Sequence, residues 1–122
     1  MARVLGVGID LVEMTEFRSV LRASVAQLVF SAQELAACKG RHRIPRLAAR
    51  FAAKEAVFKA IGTGWADGMS LRDVEVVAAA SGAPRLVLRG ETRRCVRAMG
   101  GRLHLSLSHA GDYATAVVVH AR

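Results

Sequence analysis

Arg46-Leu-Ala-Ala-Arg-Phe-Ala-Ala-Lys-Glu-Ala-Val-Phe-Lys-Ala-Ile61 runs for sixteen residues without a glycine or proline, with Pro45 immediately before it and Gly62 immediately after. Proline suits the start of a helix and glycine the position just past its end, so the segment predicts one long helix over 46–61. At about 100° per residue Leu47, Phe51 and Phe58 share an apolar stripe, and Glu55 lies about 40° from Phe51 at its edge. A carboxylate there needs a partner. One candidate is Lys59, four residues on in the favourable Glu-to-Lys order. The other is a divalent cation shared with a second carboxylate, which leaves Lys59 free to meet phosphate oxygen. Arg46, Arg50 and Lys54 follow at i+4 spacing and read as a solvated basic edge.

On either side of this helix the period changes. Val4 to Leu11 alternates and is rich in β-branched residues, which predicts a strand. Gly6, Gly8 and Asp10 then point to one side and Leu5, Val7, Ile9 and Leu11 to the other, so the expectation is a packed apolar face and a bare glycine face. A carboxylate at the end of a bare face suits a metal–phosphate site. Alternatively, the glycines mark a bulge or close backbone packing and Asp10 caps the strand. Residues 16–30 read as one helix or two short ones capped by Thr15, and Ser31-Ala-Gln-Glu34 has capping-box spacing. Gly62-Thr63-Gly64 reads as a loop. Strands are expected over 71–79 and 84–88, a helix over 91–99, and a hairpin of 102–109 with 113–120 around Ala110-Gly111-Asp112. Without regular βα alternation, the fold class is α+β, and 122 residues fit one domain, 1–122.

Composition narrows the partners. Eighteen Lys plus Arg against ten Asp plus Glu give a net charge of +8, which favours an acidic or polyanionic partner. Fifteen of the eighteen are Arg, a bias that suits phosphate and that a GC-rich coding sequence also produces. The stretch from Lys39 to Arg50 holds five basic residues, His42 and no acid, which suits a solvated surface or an anion. Cys38 and Cys95 have neither CxxC spacing nor a histidine cluster, which speaks against zinc or a disulfide scaffold and for a reducing compartment. Arg3 and Asp10 interrupt the apolar start, and no run of about 18 uncharged apolar residues exists, so the expectation is a soluble cytoplasmic protein without a membrane span. Six aromatics with no interleaved stacking motif argue against nucleic acid.

Common cofactor and nucleophile motifs fail one by one. The third glycine of a dinucleotide-binding G-x-G-x-x-G falls on Leu11, and 62–69 lacks the Gly-Lys-Ser/Thr of a Walker loop. Ser106 and Ser108 sit on no strand-to-helix elbow, and neither cysteine has an evident base. His109 ends a strand with the parity of Leu103, Leu105 and Leu107, a place where histidine is usually structural.

Taken together, Gly6-Val-Gly-Ile-Asp10-Leu-Val-Glu13, Arg50-Phe-Ala-Ala-Lys-Glu55-Ala-Val-Phe-Lys59-Ala-Ile-Gly-Thr-Gly64 and Leu105-Ser-Leu-Ser-His109 closely resemble the holo-[acyl-carrier-protein] synthases, a family of 4′-phosphopantetheinyl transferases. Order, spacing and length match together over essentially the whole chain, and Phe-Ala-Ala-Lys-Glu-Ala is the most specific part. The resemblance implies a mostly antiparallel sheet packed on a long helix, in a homotrimer with its active site at the subunit interface. It implies transfer of phosphopantetheine from coenzyme A to a serine of an apo acyl-carrier protein in fatty-acid biosynthesis, with release of adenosine 3′,5′-bisphosphate and a need for Mg²⁺. Asp10 and Glu55 would hold the metal. Glu55, Lys59 and His109 would be catalytic, Lys59 and His109 also touching phosphate. Arg46 and Arg50 would bind the 3′-phosphate, and Gly62, Thr63 and Gly64 would let backbone approach the nucleotide or pantetheine. Arg18 and Arg22 would meet the acidic carrier, although Glu13, Thr15 and Glu16 depart from the more basic start that the family often shows. A basic nucleic-acid-binding domain and a noncatalytic oligomeric scaffold are the competing classes.

Overall fold

The computed structural model describes residues 2–64 and 68–122. Its central element is a helix, α4, over Arg43–Ile61, following β1 (Val4–Glu13), α1 (Met14–Val20), α2 (Ala23–Val29) and α3 (Ala32–Ala37). The helix starts three residues before the sequence reading, with Pro45 in its first turn, where a missing N–H costs no hydrogen bond. It stops at Gly62, whose φ of 76° lets its N–H reach back to Phe58 and Lys59. A 3₁₀ turn (Leu71–Asp73), β2 (Val74–Ala78), β3 (Pro84–Leu88), α5 (Gly90–Met99), β4 (Arg102–Ala110) and β5 (Tyr113–Ala121) complete the chain.

Every strand pairing is antiparallel, β1-β5-β4 in one sheet and β2-β3 in another, as an α+β chain without βα alternation requires. Only Gly111 and Asp112 separate β4 from β5, and Gly111 supplies the positive φ that the turn needs. The expected strand over 71–79 begins instead as the 3₁₀ turn, because Ser70 caps that turn by accepting from the Arg72 N–H. The loop read at Gly62-Thr63-Gly64 is described, and 65–67 lie outside the described residues.

Helix α4 lies across the three-stranded sheet with an almost continuous alanine surface, Ala48, Ala52, Ala56 and Ala60, buried beside Ala114, Ala116 and Val118 of β5. Small side chains on both elements allow a close approach, and at β1 the approach is closer still. A Cβ on Gly6 would stand 1.9 Å from the Ala60 carbonyl oxygen, and one on Gly8 1.9 Å from that of Ala56. This is the close backbone packing that the glycines of β1 offer as one reading, and it reverses the reading of a bare glycine face. The glycine face is the packed one, pressed on helix backbone, while Val7, Ile9 and Leu11 are 58%, 64% and 64% exposed. The alternation holds, but glycine leaves no apolar signal to say which face carries the neighbour.

Two further expectations are corrected. Glu13 caps α1, its carboxylate accepting from the Thr15 and Glu16 N–H groups, so Thr15 lies inside the helix it was expected to start. Lys54 is fully buried rather than on a solvated edge, its ammonium 2.7 Å from Glu34. The capping box at Ser31 forms as read, with Ser31 and Glu34 exchanging hydrogen bonds.

Candidate active site

Asp10 and Glu55 meet because glycine carries β1 against α4. After Gly6 and Gly8, Asp10 is the first residue on that face with a polar side chain, and Ala56, which Gly8 touches, is next to Glu55. Lys59, one helical turn on, donates to Asp10 Oδ1 at 3.1 Å and to the Ile9 carbonyl oxygen at 2.9 Å. Both partners of Glu55 weighed from sequence are thus at hand: Lys59 and a second carboxylate.

The electrostatics are unbalanced in a useful direction. Burial raises the Glu55 carboxyl above its ordinary range, the negative charge of Asp10 raises it further, and Lys59 opposes both. Lys59 pairs with Asp10 alone, so Glu55 is left without an ion-pair partner beside a second carboxylate, and the two together offer hard oxygen donors of the kind Mg²⁺ takes from a protein when phosphates supply more ligands. These residues therefore fit a divalent cation. Among the described residues no group of three or more His, Cys, Asp or Glu gathers anywhere, so such an ion would depend on its substrate for further ligands. The Lys59 side chain is 53% exposed against 17% for Asp10, so the ammonium can turn toward an incoming anion.

An apolar cavity of about 380 Å³ opens beside the pair, walled by Phe17, Val20, Val25, Phe30 and Phe51, with Asp10, Glu13, Glu16 and Glu55 among its lining. Phe17 packs on Phe51 at 5.6 Å and edge-on to Phe30 at 6.5 Å between centroids, which ties α1, the end of α2 and α4 into one wall. Sequence reasoning missed this wall. Its signal was the apolar spacing of 17, 20, 21 and 25, which looks the same for core and for cavity.

The remaining candidates lie elsewhere on the chain. Arg50 lines a different groove, of about 300 Å³, with Val76, Ala78, Gly82 and Pro84 of the β2–β3 hairpin and Ser106 of β4. Five residues separate Arg50 from Glu55, about 140° around the helix, so the two face different sides. The Arg50 Nε is buried without a partner, and Nη1 makes only a long 3.4 Å bond to the Arg46 carbonyl oxygen. Arg46 itself is exposed. His109 is exposed at the end of β4, opposite Ala114, and lines a third groove with Leu11, Tyr113 and Thr115. Gly62, Thr63 and Gly64 are exposed just beyond α4, where a Cβ on either glycine would meet nothing within 4 Å. Arg18 and Arg22 are exposed on α1 and before α2. One copy of the chain thus gathers Asp10, Glu55 and Lys59 and holds Arg50 and His109 apart from them.

A family model described as the 4′-phosphopantetheinyl transferase superfamily matches residues 6–118. A holo-[acyl-carrier-protein] synthase from Syntrophotalea carbinolica is 44% identical over 119 residues, 93% of each chain. Among solved structures, an ACPS–CoA complex from Chronobacterium ammoniagenes superposes with a TM-score of 0.83 at 32% identity, covering 96% of this chain and 97% of that one. A holo-(acyl-carrier-protein) synthase from Bacillus anthracis in complex with CoA (3′,5′-ADP) gives 0.79 at 32% identity, covering 97% and 96%.

Proposed function

The chain belongs to the 4′-phosphopantetheinyl transferase superfamily, and from that premise we propose that it transfers 4′-phosphopantetheine from coenzyme A to a serine of an apo acyl-carrier protein, with Mg²⁺, in cytoplasmic fatty-acid biosynthesis. The observation that carries this reading is that Asp10 and Glu55 line one apolar cavity while Lys59 holds Asp10. The serine oxygen bonds to the phosphorus that carries pantetheine. The bond from that phosphorus to the bridging oxygen breaks, and adenosine 3′,5′-bisphosphate departs with it.

Asp10 and Glu55 would hold the Mg²⁺, which would supply positive charge against the diphosphate and the departing phosphate. Lys59 leaves Asp10 to contact the diphosphate and steadies the charge that grows on the leaving oxygen. The serine proton passes to Glu55 or to a water that the metal would order beside it. The phenylalanine wall keeps bulk water from the reacting phosphorus. No protein nucleophile is needed, because phosphoryl transfer rests on position and charge.

Arg46 and Arg50 bind the 3′-phosphate and His109 a phosphate nearby, supported by the unpartnered Arg50 Nε in its groove. Gly62, Thr63 and Gly64 admit the nucleotide, and Arg18 and Arg22 attract the acidic carrier. These groups reach one substrate in a homotrimer whose sites lie between copies. The exposed row Val7, Ile9 and Leu11 supports this arrangement, since an apolar strand face of that kind needs a cover. Asp10→Asn and Glu55→Gln are expected to abolish CoA-dependent release of adenosine 3′,5′-bisphosphate, measured by chromatography, while far-ultraviolet dichroism stays unchanged. Full turnover in both variants would refute the assignment.

A further inference from the structure

The most completely bonded ionic group among the described residues is the buried pair Lys54–Glu34, which belongs to neither cavity nor groove. The Lys54 ammonium donates to Glu34 Oε1 at 2.7 Å, to the Leu71 carbonyl oxygen at 3.1 Å and to that of Val74. Glu34 in turn accepts from the Ser31 N–H and, through Oε2, from the Val76 N–H, each at 3.0 Å. Helix α4 is thereby fastened to α3, the 3₁₀ turn and β2 through one side chain, whose ammonium also stands 5.5 Å from the Phe30 ring centre.

This fastening sits at a telling angle. Glu55 follows Lys54 by about 100° around the helix and precedes Ala56 by the same angle. Ala56 is where β1 touches α4 through Gly8. The helix is thus gripped on two sides, and Glu55 lies on the arc between the grips. On the Lys54 side the other contacts of α4 are apolar and close-packed, so the Lys54 bonds supply its directional side-chain ties there, and a carboxylate on its surface moves with any roll of the helix.

We infer that Lys54 and Glu34 are positioning residues for the metal-holding pair: their buried bonds fix the rotation of α4 so that the Glu55 carboxylate stays in the cavity wall that it shares with Asp10. The inference rests on the reading of Asp10 and Glu55 as the metal ligands. Neither Lys54 nor Glu34 touches substrate in this account. Both act through Glu55.

The test uses Lys54→Met/Glu34→Gln, which removes both buried charges at nearly constant volume, and Lys54→Arg, which keeps the charge paired but cannot place one compact ammonium among three acceptors. Lys54→Met alone is avoided, because it leaves Glu34 buried and uncompensated. Mn²⁺ binding to the full-length protein in the presence of CoA is measured by calorimetry, beside kcat, KM for CoA and urea unfolding. Expected in whichever variant folds is an Mn²⁺ affinity and kcat about tenfold to a hundredfold lower, the effect of an ångström-scale misplacement, with KM for CoA within about twofold of wild type. A merely stabilising pair would leave both unchanged in a folded variant. Wild-type Mn²⁺ affinity in the folded variants, with affinity lost in Glu55→Gln, overturns the positioning role alone. Wild-type affinity in Glu55→Gln as well overturns the metal assignment beneath it.

Discussion

Replacing Gly8 by alanine adds one methyl group where the structure has room for none. The new Cβ would lie 1.9 Å from the Ala56 carbonyl oxygen and 2.7 Å from the Ala60 nitrogen, both backbone atoms with no rotamer to escape into. Ordinary contact begins near 3.4 Å, so α4 must withdraw from β1 by about 1.5 Å. Overpacking of this kind costs about 1–3 kcal/mol. In a chain of this size that lowers Tm by about 5 to 15 °C. The functional cost is larger, because the withdrawal opens the junction where Asp10 meets Glu55 and Lys59, and a misplacement of about 1 Å costs about a hundredfold in rate. Gly6→Ala collides as severely with the Ala60 carbonyl oxygen but lies farther from Asp10, so it should lose similar stability and less turnover. Thermal unfolding followed by dichroism, with kcat at saturating CoA and carrier, separates the two effects. A Gly8→Ala protein with wild-type Tm and kcat would show that the helix is not held by the glycine face.

Three other expectations follow from the same geometry. Because the folded Glu55 pKa is raised above 4.5 by burial and by Asp10, the folded state binds more protons than the unfolded one just above that value, so stability falls as pH rises through this window. Glu55→Gln should flatten that fall in metal-free urea titrations, and an unchanged slope would contradict it. If sites form between copies, mixing inactive Glu55→Ala with inactive Arg50→Ala after reversible dissociation should restore up to about a quarter of the sites, each pairing an intact Glu55 with an intact Arg50. No recovery would place both residues in one copy's site. Arg18→Glu/Arg22→Glu should raise KM for the acidic carrier about tenfold at low salt, leave KM for CoA unchanged and converge on wild type at high salt; equal effects on both substrates would remove these residues from docking.

Much of this arrangement was legible in the order of residue types. The long helix, its glycine stop, the closing hairpin and the Ser31 capping box each depend on local chemistry that the sequence displays directly. Asp10 at the end of a glycine face and Glu55 at the edge of an apolar stripe stand out by position, but position leaves a strand cap and an ordinary ion pair as open as a metal site, and the family resemblance makes the choice. What stayed hidden depends on distant partners. Gly6 and Gly8 allow either a bare face or close backbone packing, and nothing near them says which, because the helix backbone that fills the space lies some fifty residues on. Lys54 looks like any i+4 basic residue until Glu34, twenty residues earlier, and the carbonyl oxygens of Leu71 and Val74 are placed around it. The Glu13 cap was missed because glutamate is a less common N-cap than threonine.

The most direct measurement is the intact mass of an apo acyl-carrier protein after incubation with this protein, CoA and Mg²⁺. The expected result is a gain of one phosphopantetheinyl group on a single serine, absent when the metal is chelated or when Asp10→Asn replaces the wild type. An unmodified carrier under the complete conditions, or the same gain with Asp10→Asn and Glu55→Gln, would contradict it.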